Sequence, residues 1–353
     1  MTTSDFATRL LAWYRRHARR LPWRSRRDPW ATWVSEVMLQ QTRVEVVIPA
    51  FERFLARFPN PRAFASASDD ELQEAWRGLG YYRRARLLRE GAAEVVARHR
   101  GRVPSDPDAL GALAGVGDYT RVAIASIAFG HAEPAIDGNV ERVFARHAGI
   151  TANVKSSATR NRLATLVGER MPKARAGDFN QALMDLGAMV CTPRAPKCLV
   201  CPVAGDCEAR RLGLQQELPR LPARKPSVAI LARAVLVRRK DGAVLGARIR
   251  DGEINAGQIE LPGPGILADH QDAGDALAHA LHARYGARFE IGEPVARVRH
   301  GITHHRIALE VHDAKLLGRA GGRLRWYPTD DPAVPWSTPS RKALSAHARR
   351  GAR

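Results

Sequence analysis

Two hydrophobic periods divide this chain, and one layer of secondary structure cannot serve both. Up to about residue 190, apolar residues recur every three or four positions: Phe6 to Tyr14, Trp30 to Leu39, Val44 to Phe58, Leu72 to Leu79, Ala85 to Val96, Tyr119 to Phe129, Val140 to Ala148, Arg162 to Met171 and Phe179 to Val190. Short breakers ("FPNPR", "GRVPSDP", "GHAEP") separate them, which predicts an all-helical domain. From Val228 the period becomes that of strands, in "AILARAVLVRR", "AVLGARI", "PVARVRH" and "HRIALEVHDAKLL", with one helix in "DAGDALAHALHARYG". Between them "GLQQELPRLPARKPS" is rich in Pro and Arg and has no period, so it reads as a linker. The expected layout is a helical domain over 1–210, a linker over 211–227, a smaller α+β domain over 228–346 and a loose basic tail over 347–353. A length of 353 residues supplies material for both cores. No apolar run reaches the roughly 18 residues of a membrane span, and the amphipathic start lacks a secretion-signal cleavage site, so a cytoplasmic protein is expected.

All four cysteines stand where the helical part ends, spaced Cys191-x6-Cys198-x2-Cys201-x5-Cys207. Four thiolates in so short a loop can close around one metal centre. In a cytosolic chain, disulfides are disfavoured. Structural zinc sites usually pair two short-spaced steps. One short step between longer gaps leans toward an iron–sulfur cluster, with zinc as the competitor. Either could simply staple the loop and present its basic residues.

Basic residues number 56 against 36 acidic, a formal charge of +20. A field of that sign favours polyanions, nucleic acid ahead of acidic membranes, although a chain that uses Arg as its routine surface residue would show the same excess. A candidate grip for phosphate lies in "LAGVGDYTRVAIASIAFG", where Gly115-Val116-Gly117 separates two helical patterns. Glycine permits positive φ and close approach of a phosphate, and the following helix offers free N–H groups and the positive end of its dipole. A helix-hairpin-helix element holds DNA in this way without reading sequence. A lone G-x-G also occurs in many ordinary helix–helix turns.

Two acids stand out. Glu36, in "WATWVSEVMLQQT", lies at the edge of the stripe made by Trp30, Trp33, Val34, Val37 and Met38. Desolvation beside tryptophans raises a carboxyl pKa and makes a proton donor near neutral pH; the plain alternative is a snorkelling surface Glu. Asp137, in "PAIDGNVERVFAR", precedes a periodic helix, so N-capping is its plain role, one that Asn139 could also fill. A carboxylate at a helix N-terminus stays ionised. One protonated and one charged acid would suit cleavage of a glycosidic bond.

Taken together, "LPWR", "VSEVMLQQTRVEVVIP", "GLGYYRRARLL", "LAGVGDYT", "DGNVERV", "FNQALMDLGAMVCTP" and the cysteine loop resemble the MutY-type adenine DNA glycosylases, in unbroken order from about residue 5 to 210. The resemblance implies an all-α helix-hairpin-helix glycosylase domain whose four cysteines hold a 4Fe-4S cluster, and a smaller α+β Nudix-like C-terminal domain. It implies removal of adenine mispaired with 8-oxoguanine, and with guanine, from double-stranded DNA by a monomer without membrane attachment. By carry-over, Glu36 protonates adenine at N7, Asp137 stabilises the cationic sugar, Asn139 holds the carboxylates and Tyr119 lies against the sugar. Trp23, Arg24 and Leu39 match pocket residues. Gln41 and Tyr81 match residues that wedge into the duplex, with Tyr82 or Tyr81 left to pack in the core. Gly115 and Gly117 form the hairpin grip. Endonuclease III-type relatives carry a lysine at the Tyr119 slot and cut the strand through a Schiff base. A tyrosine cannot form an imine, so a monofunctional enzyme is expected.

The C-terminal match is looser. "RHGITHHRIALE" resembles a lesion-recognition loop with Thr303 and His304 at its Ser-His positions, Ile302 replacing the usual Phe, and His305 beside them. The helix that carries metal-binding glutamates in active Nudix hydrolases reads "HALHARYG" here and has none, so hydrolysis of nucleotides with Mg²⁺ is not expected. Glu141 is a further departure, an acid expected near the DNA side. The competing readings are a bifunctional endonuclease III-like glycosylase and a non-catalytic iron–sulfur DNA-binding redox protein.

Overall fold

The computed structural model describes residues 3–25, 28–222, 226–250, 252–270, 272–331 and 334–351. It divides into two compact units, a helical one (Met1–Gly80 and Arg84–Ala223) and a second whose main body is Arg224–Arg353. The helical unit runs α1 (Thr3–His17), α2 (Pro29–Leu39), α3 (Val44–Arg57), α4 (Pro61–Ala65), α5 (Asp69–Ala75), α6 (Arg83–Arg98), α7 (Pro107–Gly111), α8 (Asp118–Phe129), α9 (Gly138–His147), α10 (Ser157–Arg170), α11 (Ala176–Met189) and α12 (Glu208–Leu212), with a 3-10 turn at Pro22–Arg24. Two of the breakers start helices. Asn60 and Asp106 cap α4 and α7, and the proline after each occupies the first helical position, where its missing N–H is not needed. Among the described residues no helix is long and apolar enough to cross a membrane.

Two cores hold this unit. Trp30, Phe54, Phe58, Phe64 and Trp76 interlock as tilted and edge-on rings from α2 to the end of α5. Residues of α1, α8, α9, α10 and α11 form the other, around Leu10, Phe144, Leu163, Phe179 and Leu183. Helices α2 and α8 pack on each other, and α11 packs on both α8 and α9, so the N-termini of α8 and α9 open beside α2. The expected linker begins inside this unit. Leu218 is buried, its carbonyl accepts from Arg146 Nε at 2.8 Å, and Arg220 O accepts from Val154 N at 3.2 Å. Residues 223–225 of that stretch lie outside the described residues.

The second unit runs β1 (Val228–Leu236), β2 (Val244–Arg248), β3 (Ile259–Glu260), α13 (Asp275–Tyr285), β4 (Arg288–Ile302), β5 (His305–Leu317), β6 (Leu324–Tyr327) and α14 (Thr338–Gly351). One sheet has the order β1-β5-β4, with β1 parallel and β4 antiparallel to β5; the other has the order β3-β2-β6. Ile302↔His305 is the last pair before a two-residue turn, so Thr303 and His304 form the tip of a long hairpin. The expected loose tail is instead the last turn of α14 as far as residue 351; residues 352 and 353 lie outside the described residues.

Candidate active site

Helix α2 is buried along nearly its whole length, from Trp30 to Met38, and Glu36 goes in with it, at 7% exposure. Burying a lone carboxylate is expensive unless something donates to it. The donor is Tyr119, in the first turn of α8, whose Oη lies 2.9 Å from Glu36 Oε2. Burial pushes the Glu36 carboxyl up to about 7; the Tyr119 bond pulls it back, Asp137 adds to the rise and Arg24 opposes it. The same burial, with the two carboxylates beside it, holds the Tyr119 phenol well above its ordinary value. The pair is therefore a neutral donor facing a carboxyl that can hold or release a proton at neutral pH.

Asp137 fills its expected capping role. It is the N-cap of α9, with Oδ1 accepting from Asn139 N at 2.9 Å and Val140 N at 2.8 Å. It also lies within electrostatic reach of Glu36 and Tyr119. Asn139 does not compete for the cap. Its Nδ2 donates to Asp137 Oδ2 at 2.8 Å, and its Oδ1 accepts from Arg142 Nη2 at 2.9 Å. Arg142 then reaches the carbonyls of Gly187 and Cys191, each at 2.8 Å. A Cβ on Gly187 would stand 2.6 Å from Asn139 Cβ, so glycine there lets α11 approach the brace. Arg142 and Gly187 escape sequence reasoning because an Arg on a helix and a Gly between apolar residues carry no local signal of what they touch.

Arg24 is fixed from the other side. Its Nη1 and Nη2 donate to Asp185 at 2.7 and 3.0 Å, and Arg19 Nε donates to the same carboxylate at 2.6 Å. Asp185 is fully buried on α11, and these bonds hold it below the usual carboxylate range against its burial. Trp23 packs edge-on against Phe51, at 5.3 Å between centroids. Leu39 ends α2, one turn beyond Glu36, and is half-buried. The structure thus gathers Glu36, Tyr119, Asp137, Asn139 and Arg24 into one site.

Gln41 and Tyr81 share an unusual backbone, with φ of 57° and 48°. Both are exposed, Tyr81 at 52%. Tyr82 is half-buried. Arg84 braces the turns that lead to them, donating to Val37 O at 2.6 Å, Met38 O at 3.1 Å, Gln40 O, Leu79 O at 3.1 Å and Gly80 O at 3.2 Å. In the hairpin, only one glycine needs its conformational freedom. Gly115 has φ 75°, and a Cβ there would meet Leu87 Cβ at 2.8 Å. Gly117, the N-cap of α8, has an ordinary φ of −83° and nothing within 4 Å of a Cβ, so it offers open space rather than a special backbone. Glu141, expected on the DNA side, is buried. Its carboxylate takes Lys155 Nζ at 2.6 Å and faces Arg160 Nε at 3.9 Å, so it serves an internal ion pair.

The four cysteines line one pocket with Val143, Arg146 and Val203. Among the described residues, no three ligating side chains converge as they would around a single ion. Burial pushes the Cys201 thiol up to about 11 and raises Cys207. Buried Arg146 gathers the loop, donating to Thr192 O at 2.7 Å, Pro193 O at 2.9 Å and Cys191 Sγ at 3.4 Å.

In the second unit, Thr303 at the hairpin tip has φ 53°, a conformation rare for a β-branched residue. The rings of His304 and His305 lie 4.1 Å apart, and Ile302 packs on the unit's core. On α13, Arg284 donates to Glu253 and, at 3.1 Å, to Glu260. Burial raises the Glu260 carboxyl, Arg284 opposing. A guanidinium from α13 therefore stands between two acids, on the helix that would need glutamates to hold Mg²⁺.

Residues 34–169 match the model of the HhH-GPD superfamily base excision DNA repair proteins, and residues 233–346 match a NUDIX domain. A human adenine DNA glycosylase is 46% identical over 222 residues, covering 60% of this chain and 41% of that protein. The chain thus spans about two fifths of that relative's length. A thymine-DNA glycosylase of Aeropyrum pernix is 38% identical over 203 residues, 56% of this chain and 91% of that protein. The structure of a thermostable thymine-DNA glycosylase superposes with a TM-score of 0.55 at 29% identity, covering 59% of this chain and 95% of that one.

Proposed function

Because the chain belongs to the HhH-GPD superfamily of base excision DNA repair proteins, we propose that it is an adenine DNA glycosylase that hydrolyses the N-glycosidic bond of adenine opposite 8-oxoguanine, or guanine, in duplex DNA. The observation that carries this reading is Glu36: a buried carboxyl raised to about 7, bonded to a neutral phenol, with Asp137 beside it.

The glycosidic bond is out of reach in stacked DNA, so the adenine is flipped out first. Glu36 then donates its proton to N7. The bonding pair leaves with the base, and the sugar carbon becomes cationic. Asp137, held in one rotamer by the α9 N–H groups and Asn139, faces that charge, which rises only in the transition state. Water adds to the carbon and returns a proton to Glu36. Tyr119 has no amine with which to form a Schiff base, so the strand stays whole. Gln41 and Tyr81 insert into the duplex, and Thr303 with His304 reads the base opposite. The four cysteines hold a 4Fe-4S cluster, which fixes the loop that Arg142 and Arg146 touch; iron and sulfide content, with the visible absorption of the purified protein, tests that assignment.

The decisive experiment is single-turnover incubation with a duplex carrying adenine opposite 8-oxoguanine, developed with and without alkali. Strand breaks only after alkali are expected. Breaks without alkali, with borohydride-trapped crosslinks, would overturn the monofunctional reading. Loss of thymine from a T:G duplex in place of adenine would move the substrate toward the thymine-DNA glycosylase relatives. No excision by the parent, and none by Glu36→Gln, would leave the redox protein.

A further inference from the structure

Helix α14 lays its apolar side on the second unit's core through Ser340, Ala343 and Leu344, all buried. Its other side is a stripe at helical spacing, Thr338, Arg341, Lys342, Ser345 and Arg349. With Arg299 of β4 this stripe lines an open groove of about 550 Å³. No acid occurs anywhere in residues 338–351, nor in residues 297–302 of β4. Lys342 Nζ donates to Arg299 O at 3.3 Å, which draws the helix onto the strand. Arg341 spends a donor on Trp336 O at 3.3 Å. Each guanidinium carries five donors, so most remain for a ligand. Four cations and two hydroxyls along one concave face, without a carboxylate, suit an extended chain of phosphates and not a single compact anion.

Strand β4 leads from this groove straight to the hairpin tip. Thr303 lies four residues beyond Arg299, about 13 Å at roughly 3.3 Å per residue. That is the axial length of about four nucleotides of one DNA strand. We infer that the α14–β4 groove is a phosphate track that holds the DNA backbone flanking the base at the β4–β5 tip. The inference rests on the proposed lesion-reading role of that tip.

The test uses the full chain and an undamaged duplex, so it does not depend on excision. Arg299→Gln/Lys342→Gln/Arg349→Gln should lower the slope of log K against log salt by about 0.9 for each phosphate no longer neutralised. We expect a total drop of about 2 to 3, with at least a ~10-fold loss of affinity near 0.1 M salt. A control with two exposed lysines elsewhere on the unit neutralised, Lys240→Gln/Lys315→Gln, should keep the parental slope. An unchanged slope in the triple variant, or an equal drop in the control, overturns the track. So does a variant that loses only its binding to phosphatidylserine vesicles, which would make the groove a lipid site. Ethylation of single phosphates probes the same contact without altering the protein: interference about four nucleotides from 8-oxoguanine is expected, and its absence overturns the placement. Excision of adenine by the parent is measured separately, so a failure of the glycosylase reading shows there and not in the slopes.

Discussion

Each unit of this molecule buries a glutamate beside a second acid, and the two are given different partners. Glu36 in the helical unit meets a phenol, and Glu260 in the second unit meets a guanidinium. Burial pushes both carboxyls upward. Both stand at about 7, Glu260 in spite of its cation, so they hold a proton about equally well; what differs is that Glu36 faces a neutral donor, whereas Arg284 ties Glu260 to Glu253. A raised carboxyl alone therefore does not mark a proton donor; the groups around it separate the two sites.

That contrast can be broken in several ways. Glu36→Gln keeps shape and removes the proton, and single-turnover excision should fall by about 10²- to 10⁴-fold, the range for a general acid. The same substitution tests the linkage. The Glu36 carboxyl binds its proton more tightly in the folded protein, so the parent's extra stability is complete below about pH 4.5 and is lost as pH rises through about 7. Above pH 7, Glu36→Gln should be the more stable protein, by on the order of 3 kcal/mol, and the melting-temperature gap between the two should shrink as pH falls toward 4.5. Arg284→Met would make Glu260 resemble Glu36. Because Arg284 is partly exposed, the expected loss is only about 2 kcal/mol at pH 8. It should be smaller at pH 5 and restored by adding Glu260→Gln, as read by hydrogen exchange in α13 and β2. Tyr119→Phe should have the smallest effect. Without the phenol that pulls the carboxyl down, the alkaline limb of the excision profile should move upward from about pH 7 by roughly one unit; an unmoved limb would mean that Glu36 is not the group that titrates.

The helices with a long apolar stripe were legible in the sequence, and so was β5, which spans the stretch "HRIALEVHDAKLL". Helices α4 and α7 were not, because five residues show no period. Nor was β3, whose two residues lie in register with β2 only once the sheet exists. Helix α14 ends in "ARRG", where basic residues mask a stripe that faces a groove and not a core. In the site, residue types announced Glu36, Tyr119 and Asp137, but their meeting depends on how α8 and α9 present their N-termini to α2. Arginine was the least readable residue. Arg84 and Arg146 look like surface charge in a chain of +20, yet both are consumed by backbone carbonyls inside the helical unit. Part of the positive excess is internal scaffolding and never meets a partner.

The left-handed backbone at Gln41, Tyr81 and Thr303 has a practical consequence. Glycine would relieve each of these positions by about 1 kcal/mol or more, so a library screened only for heat resistance would be drawn to replace them. A thermostable descendant obtained that way would fold better and have lost the side chains proposed to enter the duplex and to read the opposite base. Engineering this scaffold for durability therefore has to hold those three positions fixed and look for its gains elsewhere.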